Sequence, residues 1–376
     1  MSFKHIAILT CGRSDASIYA PLVNHLSSFF HISLIAFGSH ISFNYGKSLE
    51  EIQKLKHDNL IVVDALNKEF DSKAITLSMS KIFNEFAKIW SINNFDLVFV
   101  LGDRFEMFAA TASGVPFNLN FAHIHGGETT LGAIDNVFRH SITCMSKLHF
   151  VSTDNHKKRV EQILGNSDTR FAAQHIANIG SLSLHNIDTK RILEKNVFLK
   201  KFNIPDNKPF ILVTIHPETV NLENNKKLIK NCLKALDEVE YHKLITLPNN
   251  DTLANVIREE ILKKKKDFNY SIHESLGSNG YYSALEHCAF VFGNSSSGII
   301  ETMNFKKLAI NVGDRQLGRE CNKNIIHCGL SVAEIRKSLL KIGLVKIQDL
   351  QSKDIFFKRN ALKIVSNAVN NFMSKI

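Results

Sequence analysis

No Cys-x-x-Cys pair occurs among the six cysteines of this 376-residue chain; Cys11, Cys144, Cys232, Cys288, Cys321 and Cys328 lie far apart or singly. That usage disfavours a structural zinc and suits a reducing compartment, so the expected location is cytoplasmic. No His-Glu-x-x-His spacing is present either, and no metal or other cofactor is expected. No apolar run approaches membrane-spanning length, and Met1 to Thr10 begins a strand rather than a signal peptide. There is no low-complexity segment and no internal repeat. The net charge is +10, but the basic residues are scattered or sit in helix-like runs such as Lys263 to Lys266. Such runs read as solvated faces, and no nucleic-acid recognition motif accompanies them. The expected partners therefore include neither nucleic acid nor membrane. A positive field does suit an anionic small molecule such as a nucleotide or nucleotide sugar.

What is present is an ordinary globular composition, 44% hydrophobic and 22% charged, in a chain long enough for two domains. Short apolar runs alternate with longer amphipathic ones. Strands are expected at His5–Thr10, Ile32–Phe37, Leu60–Asp64, Leu97–Leu101, Asn118–Ile124 and Leu148–Ser152. Helix-like stretches such as Ser17–Ser28 and Met79–Trp90 lie between them. The pattern restarts with Phe210–Ile215, Lys243–Leu247, Tyr270–His273, Ala289–Gly293 and Leu308–Val312. Near-continuous apolar strands imply parallel sheets covered on both faces, hence an α/β class with two doubly wound sheets in series. The expected division is residues 1–179, residues 180–354 and a C-terminal helix within 355–376 that crosses back to the first domain. In such sheets ligands bind beyond the carboxyl ends of the strands, and two such domains facing each other make a cleft.

The polar residues gather at those strand ends. Gly293-Asn294-Ser295-Ser296-Ser297-Gly298 follows the apolar run Cys288 to Phe292 and leads into Ile299 to Met303, which reads as a helix start. A strand, a turn of small residues and a helix make a phosphate cradle, with helical N–H groups aimed at the turn. Glu301 is placed to take two hydroxyls of a ribose. Arg13, in Cys11-Gly12-Arg13-Ser14-Asp15, has the fork to reach a phosphate. Arg315 and Arg319, after the strand ending at Val312, are further phosphate candidates.

The densest titratable cluster is His123-Ile124-His125-Gly126-Gly127-Glu128, followed by Asp135, Arg139 and His140. Gly102-Asp103-Arg104 stands directly after a fully apolar strand, where a charge is costly unless paired or functional. Such a concentration suits acid/base chemistry. A metal is a rival for His123, His125 and Glu128, but no His-Glu-x-x-His spacing supports it. His216, in His216-Pro217-Glu218, ends the first strand of the second half.

In this order and spacing, these motifs resemble the UDP-N-acetylglucosamine 2-epimerase family, in particular its hydrolysing, sialic-acid-pathway branch. Gly38-Ser39-His40 with Tyr45-Gly46, Pro248-Asn249-Asn250-Asp251 and Gly313-Asp314-Arg315-Gln316-Leu317-Gly318-Arg319 extend the match over most of the chain. The resemblance implies a GT-B-like fold of two Rossmann-type domains with the active site in the cleft. It implies metal-free conversion of UDP-N-acetylglucosamine to N-acetylmannosamine and UDP through a 2-acetamidoglucal. It also implies a homodimer or homotetramer. Asp103, His125, Asp135 and His216 fall on the acid/base and leaving-group positions. Arg13, Ser295, Ser296 and Glu301 fall on the nucleotide positions, with Ser297, Arg315, Glu128 and Arg139 as further substrate-binding candidates. Many members have glutamate where this chain has His125, while some bacterial sialic-acid members share His-Ile-His. The C2 base thus lies among Asp103, Asp135 and His125. Related enzymes of the legionaminic acid pathway take a UDP- or GDP-linked 2,4-diacetamido-2,4,6-trideoxy sugar, a second substrate class. A GT-B glycosyltransferase is the alternative from another class of enzyme.

Overall fold

The computed structural model describes residues 4–12, 14–41, 48–67, 71–131, 134–165, 175–187, 191–218, 223–248, 253–345 and 353–376. Two compact units emerge. The first comprises Met1–Glu128, Asp135–Asn186 and Phe356–Ile376; the second comprises Thr129–Ile134 and Ile187–Ile355.

The first unit is built on β1 (His5–Thr10), β2 (His31–Ala36), β3 (Asn59–Val62), β4 (Leu97–Leu101), β5 (Phe121–Ile124), β6 (Leu148–Val151) and β7 (His175–Asn178). They pair in parallel in the order β3-β2-β1-β4-β5-β6-β7. All five residues of β4 and all four of β5 and β6 are buried. A strand apolar on both sides needs helices on both faces, and the chain supplies α1 (Asp15–Leu26), α2 (Ser48–Gln53), α3 (Ser72–Ile92), α4 (Phe105–Gly114), α5 (Asp135–Met145) and α6 (Asp154–Leu164). The long helix α3 starts seven residues earlier than its apolar spacing suggests. Asp71 caps it, accepting a hydrogen bond from the Ala74 N–H at 2.7 Å. It buries Ile82, Phe86 and Trp90, with Phe86 meeting Phe37 edge-on.

The second unit repeats the plan. It contains α7 (Lys195–Lys201), β8 (Phe210–Thr214), α8 (Asn224–Asp237), β9 (His242–Thr246), α9 (Ala254–Leu262), β10 (Tyr270–His273), α10 (Gly277–His287), β11 (Val291–Gly293), α11 (Ser296–Ile300), β12 (Ala309–Val312), β13 (Ile325–Cys328) and α12 (Val332–Ile342). Its sheet is parallel in the order β10-β9-β8-β11-β12-β13. The final helix, α13 (Ala361–Met373), belongs to the first unit and buries Val365, Val369 and Phe372 in that unit's core.

Three further details depart from the sequence reading. The units divide at Asn186, not at residue 179. Leu182 is part of the first unit's core, and the Ser181 N–H donates to the Phe356 carbonyl at 2.8 Å, tying this turn to the C-terminal segment. Thr129–Ile134 goes with the second unit, where the Leu131 N–H donates to the Leu317 carbonyl at 2.8 Å. The stretch from Asn118 is not strand until Phe121: Asn118 adopts a left-handed conformation (φ +54°) that ends the short turn Val115–Phe117.

Candidate active site

In both sheets the strand order reverses beside the first strand of the unit, between β1 and β4 and between β8 and β11. Open parallel sheets bind ligands at such points, and the chain's polar motifs follow these strands.

In the first unit β4 and β5 run in register to Leu101 and Ile124, so Gly102–Arg104 and His125–Glu128 leave the sheet side by side. Gly102 turns the chain with φ +74°. Asp103 then meets Arg139, a buried residue of α5, through Arg139 Nη2. Arg139 Nη1 donates to the His125 carbonyl oxygen at 2.8 Å and lies 3.7 Å from Glu128 Oε2. Asp135, half-buried, opens α5 one turn before Arg139.

His125 holds φ +65°. A left-handed non-glycine backbone costs roughly 1–3 kcal/mol and persists only where its surroundings enforce it. Here both backbone groups are held: the His125 N–H donates to the Phe150 carbonyl at 2.9 Å, and its carbonyl accepts from Arg139. The ring is held as well. Nδ1 is 2.6 Å from Glu128 Oε1 and 3.0 Å from Ser152 Oγ, and Ser152 Oγ donates to the same Glu128 oxygen at 2.7 Å. Nε2 is buried with no hydrogen-bond partner among the described residues. The turn depends on Gly127, at φ +75°, where a Cβ would sit 2.4 Å from the His156 carbonyl oxygen.

His123 does different work. Its Nε2 is 2.8 Å from the Gly102 carbonyl and its Nδ1 is 3.2 Å from Thr143 Oγ1, so it braces the end of β4 against α5. Burial pushes its pKa down to about 3. The two histidines thus have separate partners. Among the described residues no three His, Cys, Asp or Glu side chains gather as a metal site. After β1, Asp15 accepts the Cys11 and Gly12 N–H groups at 2.8 and 2.9 Å. Burial raises its pKa to about 6, against the lowering effect of those bonds. Arg13 lies outside the described residues.

In the second unit the chain leaves β8 at Thr214 and β11 at Gly293, and Asn294 joins the two exits. Asn294 Oδ1 accepts the His216 N–H at 2.7 Å, and its Nδ2 donates to the His216 carbonyl at 2.9 Å. His216, itself buried, is therefore fixed beside the serine turn. Arg315 Nη1 and Gln316 Nε2 donate to the Asn294 carbonyl at 3.3 and 2.9 Å. Glu218 Oε1 accepts the Asp314 N–H at 2.8 Å.

Ser295 is the N-cap position of α11, and Ser296 and Ser297 form its first turn, all three half-exposed. The helix begins three residues earlier than expected and ends at Ile300, so Glu301 stands at its C-cap rather than inside it. A helix of five residues has a small dipole, so an anion at this turn would meet chiefly the N–H groups of its first turn. The Ser297 hydroxyl donates to Glu301 Oε2 at 2.5 Å and lies 2.6 Å from the Tyr281 hydroxyl. These contacts hold Glu301 and the serine turn together. Burial raises the pKa of Tyr281, with Glu301 adding to the shift. From the sequence, Ser152 and Tyr281 do not stand out, and Asn294 does so only as part of the serine turn. A lone serine after an apolar strand carries little signal, although Ser152 and Asn294 do occupy strand ends.

Comparison with known proteins places the chain. The family model described as UDP-N-acetylglucosamine 2-epimerase matches residues 24–369. The chain is 36% identical over 332 residues to the GDP/UDP-N,N'-diacetylbacillosamine 2-epimerase (hydrolyzing) of Campylobacter jejuni, covering 87% of this chain and 84% of that protein. It is 31% identical to the polysialic acid biosynthesis protein P7 of Escherichia coli, over 98% of this chain and 94% of that one. Among solved structures, the Neisseria meningitidis UDP-GlcNAc 2-epimerase bound to UDP-GlcNAc superposes with a TM-score of 0.77 at 17% identity, covering 98% of this chain and 100% of that one. The Methanocaldococcus jannaschii enzyme with UDP-GlcNAc and UDP gives 0.79 at 16% identity, over 98% and 99%. At such identities the likeness speaks to the fold, which is GT-B-like. The match along most of its length makes this chain a member of the UDP-N-acetylglucosamine 2-epimerase family, and so a nucleotide-sugar 2-epimerase.

Proposed function

We propose that the chain is a hydrolysing, metal-free 2-epimerase of a nucleotide-linked 2-acetamido sugar. A base removes the proton from C2, the C–H electron pair becomes the C1–C2 double bond, and the C1–O bond breaks to release the nucleoside diphosphate. Water then adds across the 2-acetamidoglucal, oxygen to C1 and a proton to the opposite face of C2. The products are the free 2-epimeric sugar and the diphosphate.

The observation that carries this reading is His125. A buried imidazole with one nitrogen against a carboxylate and the other without a partner is equipped to take up a proton. Asp103 is engaged by Arg139 and is assigned to holding the reacting sugar. Asp135 is assigned the proton or water step on the other face of C2. In the second unit, Ser295, Ser296 and Ser297 are assigned the diphosphate, with Arg13 and Arg315 as its cations, Glu301 the ribose and His216 the charge growing on the leaving group.

On the sugar, the relatives favour a 2,4-diacetamido-2,4,6-trideoxy substrate. The Campylobacter protein and a 28% identical one from Legionella pneumophila are both named as hydrolysing N,N'-diacetylbacillosamine 2-epimerases. UDP-N-acetylglucosamine is the second reading, supported by the family model and by the 26% identical UDP-N-acetylglucosamine 2-epimerase of Neisseria meningitidis.

The test is incubation with UDP- and GDP-linked forms of both sugars in deuterium oxide, with and without a chelator. The expected result is free sugar of manno configuration carrying deuterium at C2, unaffected by chelation. Retention of the original C2 hydrogen sinks the elimination mechanism. Transfer of the sugar to an acceptor, with no free sugar released, points to a glycosyltransferase.

A further inference from the structure

We propose that Glu128 and Ser152 are positioning residues that hold the His125 imidazole as its Nδ1–H tautomer, leaving the bare Nε2 as the proton acceptor of the site. Three observations converge. Glu128 Oε1 lies 2.6 Å from His125 Nδ1, and a carboxylate there accepts the Nδ1 proton. Ser152, at the end of β6, donates to that same oxygen at 2.7 Å and so fixes the carboxylate. Nε2 is buried and has no partner among the described residues, whereas buried polar atoms are normally satisfied.

The backbone points the same way. His125 is held in a left-handed conformation by the Phe150 carbonyl and the Arg139 guanidinium, and Glu128 reaches back to its ring across Gly126 and Gly127. Glu128 is 3% exposed at its side chain and its contacts are internal, which suits a support for His125 better than a ligand for substrate. Among the described residues, the charged and titratable groups that face the ring include Glu128, Arg139 with Asp103 behind it, and His123.

The proposal rests on the epimerase reading in one respect, that the proton taken by Nε2 is the one on C2. In that step the Nε2 lone pair takes the proton and the C–H electron pair forms the double bond. The C1–O pair leaves with the diphosphate, and the new imidazolium faces the Glu128 carboxylate.

Two measurements on the full-length protein test it. Nitrogen-15 NMR of the histidine side chains, with the His125 signals assigned by their loss in His125→Ala, should show the Nδ1–H tautomer. The Nε2–H tautomer overturns the proposal whatever the enzyme turns over, and the Nδ1–H tautomer in a protein that releases no sugar leaves the positioning intact and removes the epimerase reading. In kinetics, Glu128→Gln should lower kcat about 100-fold with KM changed less than about threefold, and move the acid limb of the pH profile to lower pH. Glu128→Asp should recover part of the loss. In a His125→Ala background Glu128→Gln should have no further effect. An equal loss in both backgrounds, or an unmoved pH profile, makes Glu128 merely structural and refutes the proposal. Thermal midpoints and UDP binding report folding. If Glu128→Gln fails to fold, Ser152→Ala, which removes one hydroxyl, should lower kcat about three- to tenfold, and an unchanged kcat there refutes the proposal.

Discussion

Arg139 joins Asp103 to His125: one guanidinium nitrogen bonds the Asp103 carboxylate and the other holds the His125 carbonyl oxygen at 2.8 Å. Both residues leave the ends of adjacent strands, so a single side chain from α5 sets the spacing of two candidate site residues. Arg139→Ala removes one partner of a mostly buried pair and frees a strained backbone at once. The expected loss is about 3 kcal/mol of stability, the low end for a buried pair because Asp103 is 22% exposed, together with at least about 100-fold in kcat. Arg139→Lys keeps the charge but not the fork, and should retain stability better than turnover. Denaturant unfolding and steady-state kinetics on the two variants check this.

Two turn glycines separate strain from clash. At Gly293 (φ +139°) a Cβ would sit 1.9 Å from the Thr214 carbonyl oxygen, while at Gly102 (φ +74°) it would meet nothing within 4 Å. Gly102→Ala therefore carries backbone strain alone, about 1 kcal/mol. Gly293→Ala must also push apart β8 and β11, which pair at Thr214 and Gly293, and should cost about 3 kcal/mol and weaken nucleoside diphosphate binding. Equal unfolding midpoints for the two variants contradict this account.

The strand ends were legible in the sequence because parallel strands are apolar throughout and the first polar residue after each marks the exit. The limits of β4, an all-apolar strand between Asp96 and Gly102-Asp103, follow from that contrast alone. β13 did not stand out: Ile325–Cys328 is a half-exposed edge strand whose four residues form no apolar run. The site motifs at Asp103, His125 and the serine turn were visible as charge or small residues where a buried strand stops. Their connections were not. The left-handed backbone of His125, the Arg139 bridge and the Asn294 clamp on His216 depend on residues brought together from distant positions. Spacing along the chain could not give the boundary at Asn186 either, because this turn joins the first unit through partners far away in the sequence, such as Phe356 for Ser181.

Buried neutral histidines make stability depend on pH. His149, on β6, and His123, on β5, pair in register, and burial lowers their pKa values to about 4 and about 3. A folded-state pKa below the ordinary 6.5 means that the unfolded chain binds protons first as the pH falls. Stability is therefore full above about 6.5 and is lost as the pH drops toward 4, by about 3 kcal/mol for His149 alone. Asp15, raised to about 6, works in the opposite direction over part of that window but is one group against two. His149→Phe should flatten the unfolding free energy between pH 6.5 and 4; an unchanged slope shows that His149 is not the group responsible.

The ribose role proposed for Glu301 can be separated from general damage to the fold. A carboxylate that accepts two vicinal hydroxyls distinguishes a ribonucleotide from its 2'-deoxy counterpart, because the deoxy form leaves one acceptor oxygen without a donor. Glu301 is held in place by the Ser297 hydroxyl at 2.5 Å, so its orientation does not depend on ligand. The wild-type protein should bind UDP about tenfold more tightly than 2'-deoxy-UDP, one charge-assisted hydrogen bond of about 1.5 kcal/mol. Glu301→Ala should weaken UDP binding and bring the two affinities within about twofold of each other, whereas a loosened serine turn would weaken both equally and preserve their ratio. Ser297→Ala, which removes the brace but leaves the carboxylate, should reduce the ratio without abolishing it. Calorimetric titration of both nucleotides into the three proteins measures the ratio directly, and a ratio unchanged in Glu301→Ala takes the ribose away from this residue.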